Sequence, residues 1–446
     1  MSKKRYAVVG TGGRCPMFID PILGAHKAHC TLVGFCDISQ VRMDQRNRYI
    51  GEKFGHEPVP TYQAEAFDRM VEETKPEVII VTSKDDTHDL YIVRACELGC
   101  DAITEKPMTI DDRRCRRILD TVEQTGRNVR VTFNYRWGAF NTRVKEVLDS
   151  GVIGTVRSVN LEYLLNTSHG ADYYRRWHSS MADCGGLLVH KSTHHFDLVN
   201  WWIDSIPEQV FAYGDLVFYG RDNAVRRGDK AYTGYPRYTG YVTKEQDPYS
   251  MDLSEGTMKA LYKDAEEETG YIRDRNVFRE GIDIYDTMSV NVRYRSGVLL
   301  TYSLNSFSPR EGMRVTFNGD RGRVEYYEFG GSHIITGESS EDLAEQQAAD
   351  PGQERIVVFP HFKQNYEVPV QKGEGGHGGG DPLIQAQIFS PEAPEETLGR
   401  NAGHEQGAAS ILIGVAANQS IVRNAPVRIL DLAHLRPEAI RLSELT

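Results

Sequence analysis

The chain has 446 residues, 40% hydrophobic and 26% charged, with a net charge of -11. That length predicts more than one domain, and the negative balance weighs against a nucleic-acid partner. No apolar run approaches bilayer length, and Met1-Ser2-Lys3-Lys4-Arg5 runs into a short strand pattern without a signal-peptide core, so the expected address is the cytoplasm with no membrane partner.

Tyr6-Ala7-Val8-Val9 reads as a buried strand, followed by the turn Gly10-Thr11-Gly12-Gly13-Arg14 and a helix-length stretch over 17–28. A second strand over 31–36 ends at Asp37. Strand, glycine turn, helix and a later acid are what a dinucleotide site requires. Glycines let the backbone approach a pyrophosphate, the helix start supplies amides, and the carboxylate accepts ribose hydroxyl protons, favouring NAD over NADP. Cys15 replaces the third glycine of Gly-x-Gly-x-x-Gly. Strands at 78–82, 101–104 and 128–133 alternate with helices near 64–75, 88–99 and 110–126, which predicts a doubly wound parallel sheet. Its ligand crevice lies beyond the strand ends, where Gly10 to Arg14, Asp37, Ser83 to His88 and Glu105-Lys106-Pro107 fall. All seven cysteines precede residue 185 and none forms a Cys-x-x-Cys pair, so reduced, mostly buried thiols are expected.

The run Gly-Gly-Leu-Leu-Val-His-Lys-Ser-Thr-His-His-Phe-Asp over 185–197 places His190, Lys191, His194, His195 and Asp197 within eight residues. On one helix, His190 and His194 share a face and Lys191 and His195 the next. His-x-x-x-His also matches metal-ligand spacing, with Asp197, His178, His377 or Asp381 as conceivable third ligands; no third ligand is identified, and no metal is assigned. Just upstream, residues 169–178 are polar, aromatic and glycine-flanked, making Tyr174, Arg176, Trp177 and His178 candidates for sugar binding. A tyrosine-rich insertion spans about 218–281. Residues 286–294 with 298–304, and 313–318 with 322–327, form two hairpins around glycine turns. The run 374–381 is too glycine-rich for a packed helix or central strand and could bring His377 to the active site. Residues 410–422 carry helical apolar spacing and could pack across domains.

Glu105-Lys106-Pro107 resembles the Glu-Lys-Pro motif of the Gfo/Idh/MocA family, the glucose-fructose oxidoreductase and inositol dehydrogenase relatives. The sequence over 83–88 is similar to its Thr-Pro-Asn-x-x-His loop, Asn134-Tyr135-Arg136 to its Asn-Tyr-Arg segment, and 185–197 to its Gly-Gly-x-x-x-Asp-x-x-x-His-x-x-Asp signature. The resemblance implies an α/β protein. An N-terminal Rossmann domain (1–133) precedes a substrate-binding and oligomerisation α/β domain (134–446) with an open, mainly antiparallel sheet. It implies NAD contacts at Gly10, Thr11, Gly12, Gly13, Arg14, Asp37, Ser83, Asp86, His88, Glu105, Lys106 and Asn134, and a homo-oligomer. It also implies catalysis by Lys106 and His194, joined here by His190, which stands where the family carries aspartate. Tyr135, Lys191, His195 and His377 join the substrate-binding candidates. The expected activity is NAD-dependent oxidation of a secondary hydroxyl of a sugar, glycoside or cyclitol, or the reverse. A redox-type glycoside hydrolase is the alternative, since elimination needs extra bases that His190, His178, Tyr135 and Lys191 could supply, and a noncatalytic sugar sensor is a third.

Overall fold

The computed structural model describes residues 3–332, 352–371 and 376–446, with the side chains of 331–332 and 376–378 outside that description. The first sheet takes β1 (Lys4–Val9), β2 (Cys30–Asp37), β3 (Thr61–Gln63), β4 (Val78–Val81), β5 (Asp101–Thr104) and β6 (Val129–Val131). Their order is β6-β5-β4-β1-β2-β3, all parallel. Buried on both faces, β4 reads Val-Ile-Ile-Val without polar alternation, as a covered parallel strand should. The helices are α1 (Pro16–Leu23), α2 (Gln40–Phe54), α3 (Phe67–Thr74), α4 (His88–Glu97) and α5 (Asp112–Thr125). One helix departs from the sequence expectation. Helix α1 stops at Gly24, short of residue 28, with the Gly24 amide closing onto Asp20. Helix α2 buries only Met43, Arg46 and Ile50 and so lacks a strong apolar stripe; its signals are the Ser39 N-cap, accepting from the Arg42 amide, and left-handed Gly55 at its end.

The second sheet carries β7 (Val156–Asn166), β8 (Pro207–Asp215), β9 (Thr287–Tyr294), β10 (Leu299–Ser308), β11 (Arg310–Gly319), β12 (Gly322–Ser332), β13 (Gln353–Pro360) and β14 (Tyr366–Val368). Apart from the parallel β7–β10 pair, these strands run antiparallel, including both hairpins read from the sequence. Strict alternation of buried and exposed residues along β9 shows that one face is covered and the other open. Helix Ser192–Trp202 is buried along its whole length.

The C-terminal part of the chain returns to the first sheet. Residues Ala402–Gly403 add an antiparallel strand beside β6, and helix His404–Arg423 packs on β8, α5, β6 and helix Ser192–Trp202. The helix expected over 410–422 therefore does bridge both sheets. Gly414 permits its closest approach, because a Cβ there would lie 2.2 Å from the Leu188 carbonyl. Contrary to the sequence expectation, the glycine-rich run enters a helix, Gly376–Phe389. Glycine serves packing there: a Cβ on Gly380 would meet the backbone of Asn134 and Gly138 at 3.0 Å. All seven cysteines are buried and free. No helix among the described residues is long and apolar enough to cross a membrane.

Candidate active site

The crevice opens where β1 and β4 lie side by side and their connections diverge. Gly10 has φ +87°, and a Cβ on it would lie 2.4 Å from the Ser83 amide, so the two strand-end loops touch only because this residue is glycine. Among the described residues, one side chain lies near the bare faces of Gly12 and Gly13, the Tyr262 hydroxyl, which accepts from the Gly13 amide at 3.1 Å. Asp37 is fixed at the end of β2: Oδ2 accepts from the amide and hydroxyl of Thr11, and Oδ1 from the Ser39 amide. Arg14 pairs with Glu105 at 2.7 Å across the crevice. A glycine turn without Cβ atoms, a helix start and an oriented carboxylate fit a dinucleotide.

Lys106 follows β5. Its ammonium donates to the His190 carbonyl at 3.2 Å and lies 3.5 Å from His190 Nε2, while His190 Nδ1 lies 2.5 Å from Asp85 Oδ2. With Lys106 protonated and donating to Nε2, the neutral ring carries its proton on Nδ1 and offers it to Asp85. A continuous chain joins ammonium, imidazole and carboxylate. Burial lowers the Lys106 pKa to about 8, against the pull of Asp85 and Glu105. Burial likewise drives Asp85 well above the ordinary carboxylate range, opposed by Lys106 and Arg176, and drives His190 well below the ordinary histidine range, reinforced by Lys106.

His178 packs edge-on against His190, ring centres 4.1 Å apart, and stacks on Trp177 at 3.5 Å. Its Nδ1 is buried without a hydrogen-bond partner among the described residues. Asp85, His178 and His190 each place a donor atom within 4.8 Å of the others, a set that could ligate a metal. The surrounding charge opposes that use, since the Lys106 ammonium already occupies the open side of His190. After burial, Arg176 and Lys106 are the largest influences holding His178 neutral. His190 and His194 are not partners in this cluster.

A turn at Lys191 separates helix Leu187–His190 from Ser192–Trp202 and sends His194 elsewhere. Its ring stacks on Tyr135, centres 4.1 Å apart and 11° from parallel. The Tyr135 hydroxyl accepts from Lys191 at 3.2 Å. Burial works against the Lys191 charge, but Tyr135, Tyr163, Tyr173 and Glu311 more than offset it and hold its pKa well above the ordinary lysine value. Arg136 sets the stack: fully buried, it makes a two-pronged pair with Asp197 at 2.8 and 2.6 Å and binds the Gly399 carbonyl and Gln406. This pair joins the turn Asn134–Trp137 to the helix carrying His194. Beyond Tyr135 opens a cavity of about 470 Å³ lined by Tyr163, Glu311, Met313, Glu328 and Glu354. Tyrosine faces beside carboxylates suit a hydroxyl-rich ligand, and the volume is that of a small-molecule site.

Residues 4–133 match the family model described as oxidoreductase family, NAD-binding Rossmann fold, and residues 145–429 match that family's C-terminal alpha/beta domain. The chain belongs to the Gfo/Idh/MocA oxidoreductase family. It is 37% identical over 431 residues to YteT of Bacillus subtilis (strain 168), an oxidoreductase by name, covering 94% of this chain and 96% of that one. It is 27% identical over 136 residues to inositol 2-dehydrogenase of Rhizobium meliloti, 30% of this chain and 39% of that protein. Among solved structures it resembles the WlbA dehydrogenase from Bordetella pertussis in complex with NADH and UDP-GlcNAcA, with TM-score 0.60, 15% identity and coverage of 96% and 99% of the two chains.

Two departures from the Gfo/Idh/MocA motifs meet in space. Asp85 stands at the asparagine of Thr-Pro-Asn-x-x-His, and His190 at the aspartate of the downstream signature; the structure joins them in one hydrogen bond. Sequence reasoning passed over Asp85, although a carboxylate at a carboxamide position was the available signal. Other expected contacts are bound elsewhere. Tyr174, expected to meet substrate, is fully buried, bonded to the Tyr285 carbonyl and Ser306 and stacked on Tyr219, because an apolar core surrounds it. His195 is equally buried, bonded to Tyr302 behind the Tyr163 ring. Both side chains are fully buried and bonded within the second domain.

His88 faces the Pro107 and Ser83 carbonyls at 2.8 and 3.1 Å and so braces the two strand-end loops against each other. Asp86 pairs with Lys84, Asn134 donates to Asp381, and Arg176 pairs with Asp172. The Ser83 hydroxyl accepts from Thr87. The side chain of His377 lies outside the described residues. Tyr262, Tyr163 and Glu311, also missed, come from the insertion and sheet and carry no local motif.

Proposed function

We propose that this oxidoreductase uses NAD to oxidise a secondary hydroxyl of a sugar, glycoside or cyclitol, or to run the reverse reduction. The observation that carries the proposal is the Lys106–His190–Asp85 chain at the mouth of the crevice, with the stacked Tyr135–His194 pair and the acidic cavity beside it. When bound, the nicotinamide supplies the hydride acceptor. Lys106 stabilises the negative charge growing on the substrate oxygen, and His194 accepts the hydroxyl proton. His190, held by Asp85, fixes the ammonium in place and offers a path for a proton. Fixed to the end of β2, Asp37 favours a ribose hydroxyl over a phosphate, hence NAD.

A second reading, transient oxidation followed by elimination of an aglycone, is favoured by His178. Its Nδ1, without a hydrogen-bond partner among the described residues, lies beside His190 and offers a further base for the proton α to a ketone. One experiment tests both readings: the purified protein is mixed with NAD and a panel of sugars, cyclitols and aryl glycosides, and reduced nicotinamide and released aglycone are followed together. Stoichiometric reduced cofactor supports the dehydrogenase, and aglycone release without net reduction supports the second reading. Lys106→Ala and His194→Ala should each lose more than about tenfold in rate with NAD binding retained. Wild-type rates in either variant sink the assignment.

A further inference from the structure

The insertion at 218–281 reaches back to the nucleotide crevice. Glu268, in helix Glu266–Thr269, accepts from the Ser39 hydroxyl at 2.6 Å, the Gln40 amide at 2.6 Å and the Val41 amide at 3.4 Å. Those donors begin α2, immediately after Asp37. Arg42, one residue further on, donates to the Leu261 carbonyl at 3.0 Å, lies over the Tyr262 and Tyr271 rings, and is 3.8 Å from Asp37.

A hydroxyl, two helix-start amides and a guanidinium make a phosphate-binding set. Their place follows from the chemistry of the cofactor. Asp37 is placed to accept from the adenosine ribose, and a phosphate on the 2′ oxygen extends one bond beyond that hydroxyl, toward the start of α2. The seat is already taken by a carboxylate of the same chain. We infer that Glu268 is a cofactor-selectivity residue, its carboxylate holding the donors that the 2′-phosphate of NADP would need. This rests on the reading of the crevice as a nicotinamide-dinucleotide site and adds a second exclusion to that of Asp37. Where Asp37 disfavours the phosphate from the strand end, Glu268 removes its partners and opposes its charge. Glu268 is exposed, so the seat is open to a competing anion once the carboxylate is gone.

The test is direct binding. NAD and NADP are titrated by calorimetry into nucleotide-stripped wild type, Glu268→Gln and Glu268→Ala, with a thermal melt confirming that each is folded. The expected result is NADP binding about tenfold tighter in Glu268→Ala than in wild type, an intermediate gain in Glu268→Gln, and NAD affinity within about threefold throughout. Equal NADP affinity in all three proteins, with NAD still bound, overturns the assignment and leaves the dinucleotide reading standing. Parallel weakening of both nucleotides also overturns it, reducing Glu268 to a structural clasp. Wild type binding neither nucleotide overturns the crevice reading and this inference with it.

Discussion

Replacing Asp85 with asparagine keeps the shape of a side chain in a residue only 3% exposed and removes one negative charge. Lys106 Nζ lies 3.5 Å from one ring nitrogen of His190, and Asp85 Oδ2 lies 2.5 Å from the other. Across the imidazole the two charges are therefore no more than about 8 Å apart, where at an effective dielectric of about 20 a unit pair is worth about 2 kcal/mol. That equals about 1.5 pH units. Burial lowers the Lys106 pKa to about 8. Its lowered pKa means that the ammonium is present below that pH and lost above it. If the ammonium is the working form, kcat/KM for oxidation falls as pH rises through 8, and Asp85→Asn moves that limb down by about 1.5 pH units. Near neutrality the loss of ammonium alone costs between about threefold and tenfold, and loosening His190 adds about tenfold. The assay is kcat/KM against pH with whichever polyol the substrate panel identifies, together with trace acetylation of Lys106 to read its ionisation directly. An alkaline limb that stays in place while the rate falls would refute the electrostatic coupling, and a rate rising through pH 8 would make neutral Lys106 the active form.

The exchange of a carboxamide and a carboxylate for a carboxylate and an imidazole predicts compensation. The double variant Asp85→Asn/His190→Asp, which restores the family residues, should be at least about tenfold more active than the product of the two single effects allows, and strict additivity in the kinetic cycle would show that the sites act independently. Arg136→Leu leaves Asp197 charged and buried, so it should cost about 3–5 kcal/mol in urea unfolding, and a loss below about 1 kcal/mol would deny the pair its structural role. Tyr174→Phe removes the bonds to Tyr285 and Ser306 and should cost about 1–2 kcal/mol of stability while leaving KM within about twofold; a large KM effect would return Tyr174 to the substrate site. Exhaustive chelation should leave activity intact, because a divalent cation at Asp85, His178 and His190 would face the Lys106 ammonium; loss of activity restored by added zinc would contradict that.

The nucleotide half was legible in the chain because its determinants are local. A parallel strand buried on both faces announces itself as Val-Ile-Ile-Val, a tight strand-end turn demands Gly10, and the acid ends its own strand at Asp37. The hairpins of the second sheet were legible for the same reason, since alternation and a glycine turn are properties of contiguous residues. Helical spacing failed at 185–197, where the turn at Lys191 sends His190 toward Asp85 and His194 toward Tyr135. Composition did not reveal the burial of Tyr174 and His195, whose partners Ser306 and Tyr302 lie more than a hundred positions away. The Asp85–His190 bond spans 105 residues and the Glu268–Ser39 bond 229. The sequence by itself determined most strands of the parallel sheet, the two hairpins of the second, the glycine turn and the inventory of reactive side chains, because backbone propensity and patterning act over a few residues. Which imidazole meets which carboxylate was decided only by the packing of the two sheets, since hydrogen bonds act over a few ångströms in space regardless of separation along the chain.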